Sequence, residues 1–241
     1  MTKPTATLIT GGSNGIGAAI AKARAEAGEA VINLDRDAPA DGGRGRWIPV
    51  DLMDDVALGD AMQDALSGHN ITRVVNCAGV ALLDPIEDFE AEDFRRTMDL
   101  NVLAPALIVQ ACLPGMKAHH FGRILNIASR AALGKTLRTA YAGSKGALIS
   151  ATRVWALELA QHGITVNAIG PGPIETELFR NANPADSPVT QQMRGTIPVG
   201  KFGQPEDIAH AADYFLDERA GFVTGQVLYV CGGMTIGVAA T

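Results

Sequence analysis

Short apolar runs rich in β-branched residues alternate along the chain with longer segments whose apolar residues recur every three or four positions. The short runs are typical of β-strands, and the longer spacing is typical of helices such as Met53–Leu66 and Thr139–Gln161. Strands that alternate with helices form βαβ units. We therefore predict an α/β fold in which helices cover both faces of a parallel sheet. The predicted strands are Thr5–Thr10, Ala30–Leu34, Trp47–Val50, Ile71–Asn76, Arg123–Ile127, Ile164–Ile169 and Gln226–Val230.

The length and composition suit one domain with a packed core. The chain has 241 residues, of which 47% are hydrophobic and 19% are charged, and this argues against a disordered chain or a coiled coil. The alternation of strands and helices stops at residues 171–203, which contain several prolines. A loop of that length in a compact domain is usually functional. We predict a single domain over residues 1–241, with a substrate lid at about residues 171–203.

Composition and charge also exclude several kinds of partner. Lys and Arg number 20 and Asp and Glu 26, for a net charge of −6, so the basic excess of a nucleic-acid binder is missing. Three cysteines without C-x-x-C spacing, and no visible secretory signal, predict a reduced cytoplasmic protein. The uncharged stretches Leu100–Met116 and Ala220–Thr241 are broken by Pro or Gly, so we predict buried protein surface and no membrane association. The five histidines lack liganding spacing, and we predict no metal.

A glycine-rich turn follows the first predicted strand and precedes the first helix. Its sequence, Thr10–Gly17, has the pattern G-x-x-x-G-x-G. Small residues let the backbone approach a pyrophosphate, and the helix N-terminus offers unpaired N–H groups to the anion. The alternative is a tight strand-to-helix turn with no ligand. The candidate dinucleotide-binding residues here are Gly11, Ser13, Asn14, Gly15, Ile16 and Gly17.

The end of the second strand bears on the choice of dinucleotide. Asp35 lies 20 residues after Gly15, where a carboxylate accepts hydrogen bonds from an adenosine ribose and repels the 2′-phosphate of NADP. Arg36 acts in the opposite sense, because a guanidinium pairs with phosphate, and it can also stack on adenine. We give Asp35 the greater weight and predict NAD rather than NADP. The alternative is that Asp35 is a solvated strand end.

Tyr141 and Lys145 stand at positions i and i+4 of a predicted helix, so they share one face. A phenol has an ordinary pKa of about 10, and a nearby ammonium favours the phenolate and lowers that pKa. Tyr141 is therefore a candidate general acid/base. The pattern is common by chance, and taken alone it also suits an ordinary helix surface.

Taken together, these motifs resemble those of the short-chain dehydrogenases/reductases. The matching residues occur in the family's order over Thr5–Gly233, and they are Thr10–Gly17, Asn76-Cys77-Ala78-Gly79, Asn101, Ser129, Tyr141 with Lys145, and Pro171-Gly172. The resemblance implies a Rossmann-type doubly wound parallel sheet of seven strands with helices on both faces. It also implies a single domain and a homotetramer.

The resemblance further implies a role for each matching residue. Ser129 would hydrogen-bond the substrate oxygen, and Tyr141 would exchange a proton with it. Lys145 would hold the nicotinamide ribose and lower the pKa of the phenol, and Asn101 would anchor a water. The separation of Ser129 from Tyr141, 12 residues, is one shorter than is usual in that family. Further cofactor contacts are implied for Asp51, Leu52, Asn76, Ala78, Gly79, Pro171, Gly172, Ile174 and Thr176.

The predicted function is hydride transfer between NAD(H) and a secondary alcohol or ketone. Lid residues such as Ile174, Phe179 and Ile197 favour a small to medium, largely apolar substrate, unless they pack within the lid itself. One alternative is a 3-oxoacyl-acyl-carrier-protein reductase that uses NADPH. Asp35 argues against it, and so do His120 and His162, which stand where arginines would dock the carrier.

Two further alternatives come from other classes. A non-catalytic protein that senses NAD or mediates assembly would usually lose the Tyr/Lys pair, which is present here. An epimerase or dehydratase of the extended branch carries an added substrate domain, for which 241 residues leave little room.

Overall fold

The computed structural model describes residues 3–237, without the side chains of residues 41, 178 and 182. Residues 1, 2 and 238–241 of the predicted domain lie outside the described residues. The strands are β1 (Thr5–Thr10), β2 (Ala30–Asp35), β3 (Arg46–Pro49), β4 (Asn70–Asn76), β5 (Gly122–Ile127), β6 (Ile164–Pro171) and β7 (Val227–Val230). The α-helices are α1 (Gly15–Glu26), α2 (Asp55–Gly68), α3 (Ala91–Met98), α4 (Ala104–Ala118), α5 (Thr139–Leu159), α6 (Glu177–Ala182), α7 (Pro188–Gly195) and α8 (Pro205–Leu216).

All seven strands form one parallel sheet in the order β3-β2-β1-β4-β5-β6-β7. The chain runs outward from β1 to β3 and then returns to β4, which pairs with the other side of β1. Parallel α/β sheets bind ligands at such a switch point, beyond the carboxyl ends of the strands. The predicted α/β doubly wound fold is confirmed, and it locates the candidate site beyond β1 and β4.

Neighbouring residues of the central strands supply two hydrophobic layers, one on each face of the sheet. In β1, Leu8 packs with the layer under α2 and α4, whereas Ile9 packs with the layer under α1 and α8. Val74 and Val75 in β4 divide in the same way. All four side chains are fully buried, and each such burial contributes roughly 1.5–3 kcal/mol relative to exposure. Because both faces of the central strands are buried, their sequences are continuous apolar runs.

Helices α3 and α4 are joined by a π-helical turn, Asp99–Leu103, into one continuous run from Ala91 to Ala118. By length and composition alone, this run could cross a membrane. In this fold its apolar side chains pack against the sheet, where Ile108, Cys112 and Met116 are fully buried.

The predicted lid is a folded segment with helices of its own rather than an irregular loop. It contains α6 and α7, and its two ends are joined by backbone hydrogen bonds from Glu175 to Gly203 (2.8 Å) and from Gly203 to Pro173 (3.0 Å). The apolar lid residues Ile174, Ile197 and Phe202 are buried. They line a cavity of about 300 Å³ whose other walls come from α8 and the end of β7. These side chains therefore pack between the lid and the body of the domain.

Candidate active site

The glycine-rich turn is held against the end of β4 by one side chain of β1. Thr10 Oγ1 accepts hydrogen bonds from the backbone N–H groups of Cys77 and Ala78, both at 3.0 Å. Gly11 has a φ of +68°, and a Cβ built on it would lie 3.0 Å from the backbone of Ala78. A side chain is excluded there by both the backbone conformation and the space. The turn and the Asn76–Gly79 segment therefore form one surface.

The first turn of α1 is open to an anion. Its N-cap residue, Asn14, makes no side-chain capping bond, and the turn contains no acidic residue. A Cβ on Gly17 would lie 2.0 Å from the carbonyl oxygen of Gly11, so the helix begins directly on the turn. Uncapped N–H groups at a helix start bind phosphate, and the residues present fit a dinucleotide pyrophosphate.

The end of β2 ties down the other side of the turn. Asn33 Oδ1 accepts from the N–H of Gly12 (2.8 Å), and Asp35 Oδ2 accepts from the N–H of Ser13 (3.0 Å). The hydroxyl of Ser13 donates to the carbonyl of Asp37 (2.6 Å). Asp35 thus lies beside the turn, and both polar groups of Ser13 already have partners within the protein.

Arg36 and its neighbours show which charges surround the predicted ribose position. Arg36 is exposed, and its Nε lies 3.6 Å from Asp37 Oδ1. In the sequence, Arg36 lies between two acidic residues, Asp35 and Asp37.

Three predicted cofactor residues have side chains that are engaged elsewhere. Asp51 Oδ1 accepts from the N–H of Met53 (3.0 Å). Leu52 packs into the core and is 7% exposed, so in contrast to our expectation it offers little surface to an adenine ring. Asn76 is buried and donates to Asn126 Oδ1 (2.8 Å), so only its backbone borders the site.

Lys145 is the most buried charged group of the site. It lies in the second turn of α5 and is 4% exposed, and its Nζ donates to the carbonyl of Ile127 at 2.8 Å. Burial lowers the pKa of Lys145 to about 8. Its Nζ lies 5.8 Å from the centroid of the Tyr141 ring, so the predicted pair shares one helix face.

The acidity of Tyr141 differs from our expectation. Burial raises the pKa of its phenol above the ordinary value of 10.0, and the Ser129 hydroxyl and the Arg138 charge oppose this rise. Lys145, whose own pKa is lowered by burial, donates to the carbonyl of Ile127. The Ser129 hydroxyl is close enough to lower the pKa of Tyr141, and a 3₁₀ turn over Arg130–Leu133 begins directly after Ser129.

Asn101 occupies the π-helical turn and fastens the loop after β4. Its Oδ1 accepts from the N–H of Val80 (2.9 Å), while its Nδ2 donates to the carbonyl of Val80 (3.0 Å) and to Ser144 Oγ (2.9 Å). A Cβ on Gly79 would lie 2.9 Å from Asn101 Oδ1 and 3.3 Å from Lys145 Nζ. The structure therefore brings Gly79, Asn101 and Lys145 together, although they are far apart in sequence.

The beginning of the lid meets the glycine-rich turn. Pro171 ends β6, and the N–H of Gly172 donates to the carbonyl of Val230 (2.9 Å). Thr176 caps α6, and a Cβ on Gly15 would lie 3.0 Å from Thr176 Cγ2. Two predicted cofactor segments are thus adjacent.

Sequence reasoning missed three cations between Ser129 and Tyr141. They are Arg130, Lys135 and Arg138. The signal was present, because the segment Arg130–Arg138 contains these three basic residues and no acid. Within residues 3–237, no group of three or more His, Cys, Asp or Glu side chains could hold a metal ion.

Comparisons with known proteins agree with this geometry. A family model described as enoyl-(acyl carrier protein) reductase matches residues 11–235. The chain is 34% identical over 240 residues to the NAD-dependent glycerol dehydrogenase of Listeria innocua serovar 6a, covering 95% of this chain and 93% of that protein.

Two solved structures are similar over nearly the whole chain. One is a short-chain type dehydrogenase/reductase from Mycobacterium ulcerans, with a TM-score of 0.89, 29% identity, and coverage of 99% of this chain and 92% of the other. The second is a gluconate 5-dehydrogenase from Burkholderia cenocepacia J2315 in complex with NADP and tartrate, with a TM-score of 0.89, 29% identity, and coverage of 99% and 97%. The matched family model and these similarities show that the protein belongs to the short-chain dehydrogenase/reductase family and is an oxidoreductase.

Proposed function

We propose that the protein catalyses reversible hydride transfer between NAD(H) and a secondary alcohol or its ketone, with Tyr141 as the general acid/base. The observation that carries the proposal is the meeting of Ser129, Tyr141 and Lys145 at the carboxyl edge of the sheet, beside the open start of α1.

Each side chain has a distinct task in this proposal. A bound nicotinamide dinucleotide supplies the hydride acceptor or donor. Tyr141 Oη takes the alcohol proton during oxidation and returns it during reduction. The hydroxyl of Ser129 holds the substrate oxygen, and Lys145 holds the nicotinamide ribose and keeps its positive charge near the phenol. Asn101 fixes the loop that borders Lys145 and anchors a water for proton exchange with solvent.

Proton transfer depends on the balance of charges around Tyr141. Burial disfavours the phenolate, whereas Ser129 and Arg138 favour it. Because the pKa of this phenol lies above its ordinary value, the fraction present as phenolate increases as the pH becomes alkaline. Alcohol oxidation should therefore accelerate as the pH rises.

NAD rather than NADP is the proposed dinucleotide. Asp35 lies beside the glycine-rich turn, and Asp37 pairs with Arg36, so a 2′-phosphate would meet two carboxylates for one guanidinium. The relatives use different dinucleotides, since one is named as NAD-dependent and another is in complex with NADP.

A second candidate function is reduction of a 3-oxoacyl group on an acyl carrier protein with NADPH. The matched family model is described as an enoyl-(acyl carrier protein) reductase, and this description favours a carrier-bound acyl substrate, although an enoyl reductase reduces a carbon–carbon double bond and not a ketone. It predicts that a carrier-bound acyl substrate is turned over faster than any free ketone, with NADPH preferred.

The proposal includes a cytoplasmic homotetramer. Exposed apolar side chains stand on α5, at Val154 and Leu157, and around β7, at Phe222 and Leu228. The three cysteines are free thiols, as a reducing compartment requires. A monomeric mass in light scattering would contradict the assembly.

The variant Tyr141→Phe tests the assignment of the general acid/base. We expect kcat to fall by about 10²–10⁴-fold, the usual contribution of such a group, while NAD still binds. The assay is NADH absorbance with a panel of aliphatic, alicyclic, aryl and hydroxy-acid alcohols, and binding is followed by fluorescence. Tyr214→Phe is the matched control, because Tyr214 is 55% exposed on α8. A kcat near that of the wild type in Tyr141→Phe would overturn the proposal.

A further inference from the structure

The segment that joins Ser129 to Tyr141 carries three positive charges into the rim of the site. Arg130 directly follows Ser129, and Arg138 precedes α5 as its N-cap residue. Lys135 lies between them, and Arg130–Arg138 contains no Asp or Glu. Both ends of this segment are fixed to residues of the proposed catalytic group.

The three charges act on one another and on the phenol. Burial lowers the pKa of Lys135, and the positive charges of Arg138 and Arg130 lower it further. Burial also lowers the pKa of Arg138, and Arg130 contributes to this, whereas Tyr141 opposes it. Arg130 is adjacent to Ser129, and Arg138 precedes Tyr141 by three residues at the start of α5, so both guanidinium groups belong to the segment that borders the phenol.

Arg130 and Arg138 are half-buried and Lys135 is exposed, and their charges have few partners among the described residues. The guanidinium of Arg138 donates to the carbonyl of Thr136 (3.1 Å). The buried Nε of Arg130 has no hydrogen-bond partner among the described residues. The backbone of Asp84 forms an isolated β-bridge with that of Arg138, which brings one acidic residue next to the segment. Among the salt bridges of residues 3–237, none involves Arg130, Lys135 or Arg138.

Two half-buried guanidinium groups without a carboxylate partner favour the binding of an anion, because partial burial and mutual repulsion disfavour their charged forms until one is bound. Guanidinium groups suit a carboxylate well, since they donate two parallel hydrogen bonds to it. The apolar residues of the lid, in contrast, are buried against the body of the domain.

We propose that the substrate carries a carboxylate, which Arg130 and Arg138 bind, with Lys135 at the rim, while its alcohol carbon lies at Ser129 and Tyr141. The substrate class is therefore a hydroxy acid and its oxo acid rather than a largely apolar alcohol. This inference rests on the proposed function, because it places the reacting oxygen at the same residues.

Equilibrium binding tests the inference without any need for turnover. The protein is Tyr141→Phe with bound NADH, so that an oxo acid is not converted. The probes are 3-oxobutanoate, 4-oxopentanoate and 2-oxobutanoate, each paired with its neutral methyl ester, and the measurement is calorimetry at constant ionic strength. We expect at least one acid to bind about tenfold or more tightly than its ester, as a hydrogen bond to a charged group implies.

Variants then assign the preference to particular side chains. Arg138→Met combined with Arg130→Met should abolish the preference for the acid, and Arg138→Lys should keep part of it. Arg138→Glu tests the same site if the double variant folds poorly. It should make the methyl ester bind more tightly than the acid. Lys117→Met, at an exposed position near the end of α4, should leave it unchanged.

The outcomes separate this inference from the proposed function. If no acid binds more tightly than its ester, or if the preference survives in the arginine variants, the carboxylate site is refuted, whatever the activity of the enzyme. If acids bind as expected but Tyr141→Phe turns over as fast as the wild type, the catalytic assignment fails and the anion site stands.

Discussion

Replacing Lys145 with Met should inactivate the enzyme and yet stabilise its cofactor-free form. Burial lowers the pKa of Lys145 from 10.5 to about 8. At 1.36 kcal/mol per pH unit, this corresponds to about 3 kcal/mol of unfavourable free energy for the buried ammonium. Met fills a similar volume without a charge, but it removes the hydrogen bond to Ile127, which contributes about 1 kcal/mol. The expected net gain is therefore about 2 kcal/mol at pH 7.

The pH dependence of the gain distinguishes charge burial from a packing effect. Below pH 8 the lysine is protonated in both the folded and the unfolded protein, so the full cost is present. Between about 8 and 10.5 the folded state binds fewer protons than the unfolded state, so the stability of the wild type rises with pH. The advantage of Lys145→Met should therefore shrink as the pH rises through this window.

Thermal and urea unfolding of the cofactor-free protein measure this effect, at one protein concentration because assembly shifts the apparent Tm. For a chain of this length, 2 kcal/mol raises Tm by about 4–8 °C. Lys201→Met is the matched control, since Lys201 is exposed in the lid, and it should change Tm little at any pH. A Tm for Lys145→Met that equals or falls below that of the wild type at pH 7, or a gain that does not vary with pH, would refute the argument.

Two further predictions concern the dinucleotide site and its glycine-rich turn. Asp35→Ser should shift the ratio of kcat/KM for NAD over NADP toward NADP by about tenfold, because it removes a carboxylate beside the turn; an unchanged ratio would contradict the role of Asp35. Gly17→Ala should weaken NAD binding and lower Tm, because its Cβ would collide with Gly11. Gly59→Ala, in a helix and with open space around the Cβ, should instead stabilise the protein by about 0.5–1 kcal/mol; equal effects of the two alanine variants would contradict this reasoning.

The positions of the strands could be predicted from the sequence because a central parallel strand is buried on both faces. Its residues must then be apolar in succession, and each predicted strand agrees with the structure to within about two residues. The helices of the lid could not be predicted in this way. Helices α6 and α7 are short and lie among prolines and asparagines, so no apolar periodicity marks them.

The candidate site could be predicted wherever its chemistry follows from local spacing. Tyr141 and Lys145 share a helix face because they are one turn apart, and the glycine-rich turn lies between one strand and one helix. The raised pKa of Tyr141 could not be predicted, because its largest cause is burial of the phenol, which the spacing of residues does not reveal. Nor could the contact of Asn101 with Val80, since it requires the π-helical turn and a loop from elsewhere in the chain.

The buried cations at the two edges of the sheet differ in how many hydrogen-bonding and charged partners the described residues give them. Toward the amino ends of the strands, Arg24 pairs with Glu29 and Asp213, and Arg73 pairs with Glu29 and Glu218.

Toward the carboxyl ends, the described residues give Lys145 only a carbonyl oxygen and leave the Nε of Arg130 without a partner. At the amino ends even Arg123, which has no salt bridge, donates to the backbone carbonyls of Asp217, Gly122, Gly163 and Glu218. The buried cations there are therefore better satisfied by the described residues than those at the carboxyl ends. Unpaired buried charge lowers stability, and the proposed dinucleotide and acidic substrate would bring anionic and hydroxyl groups to these cations.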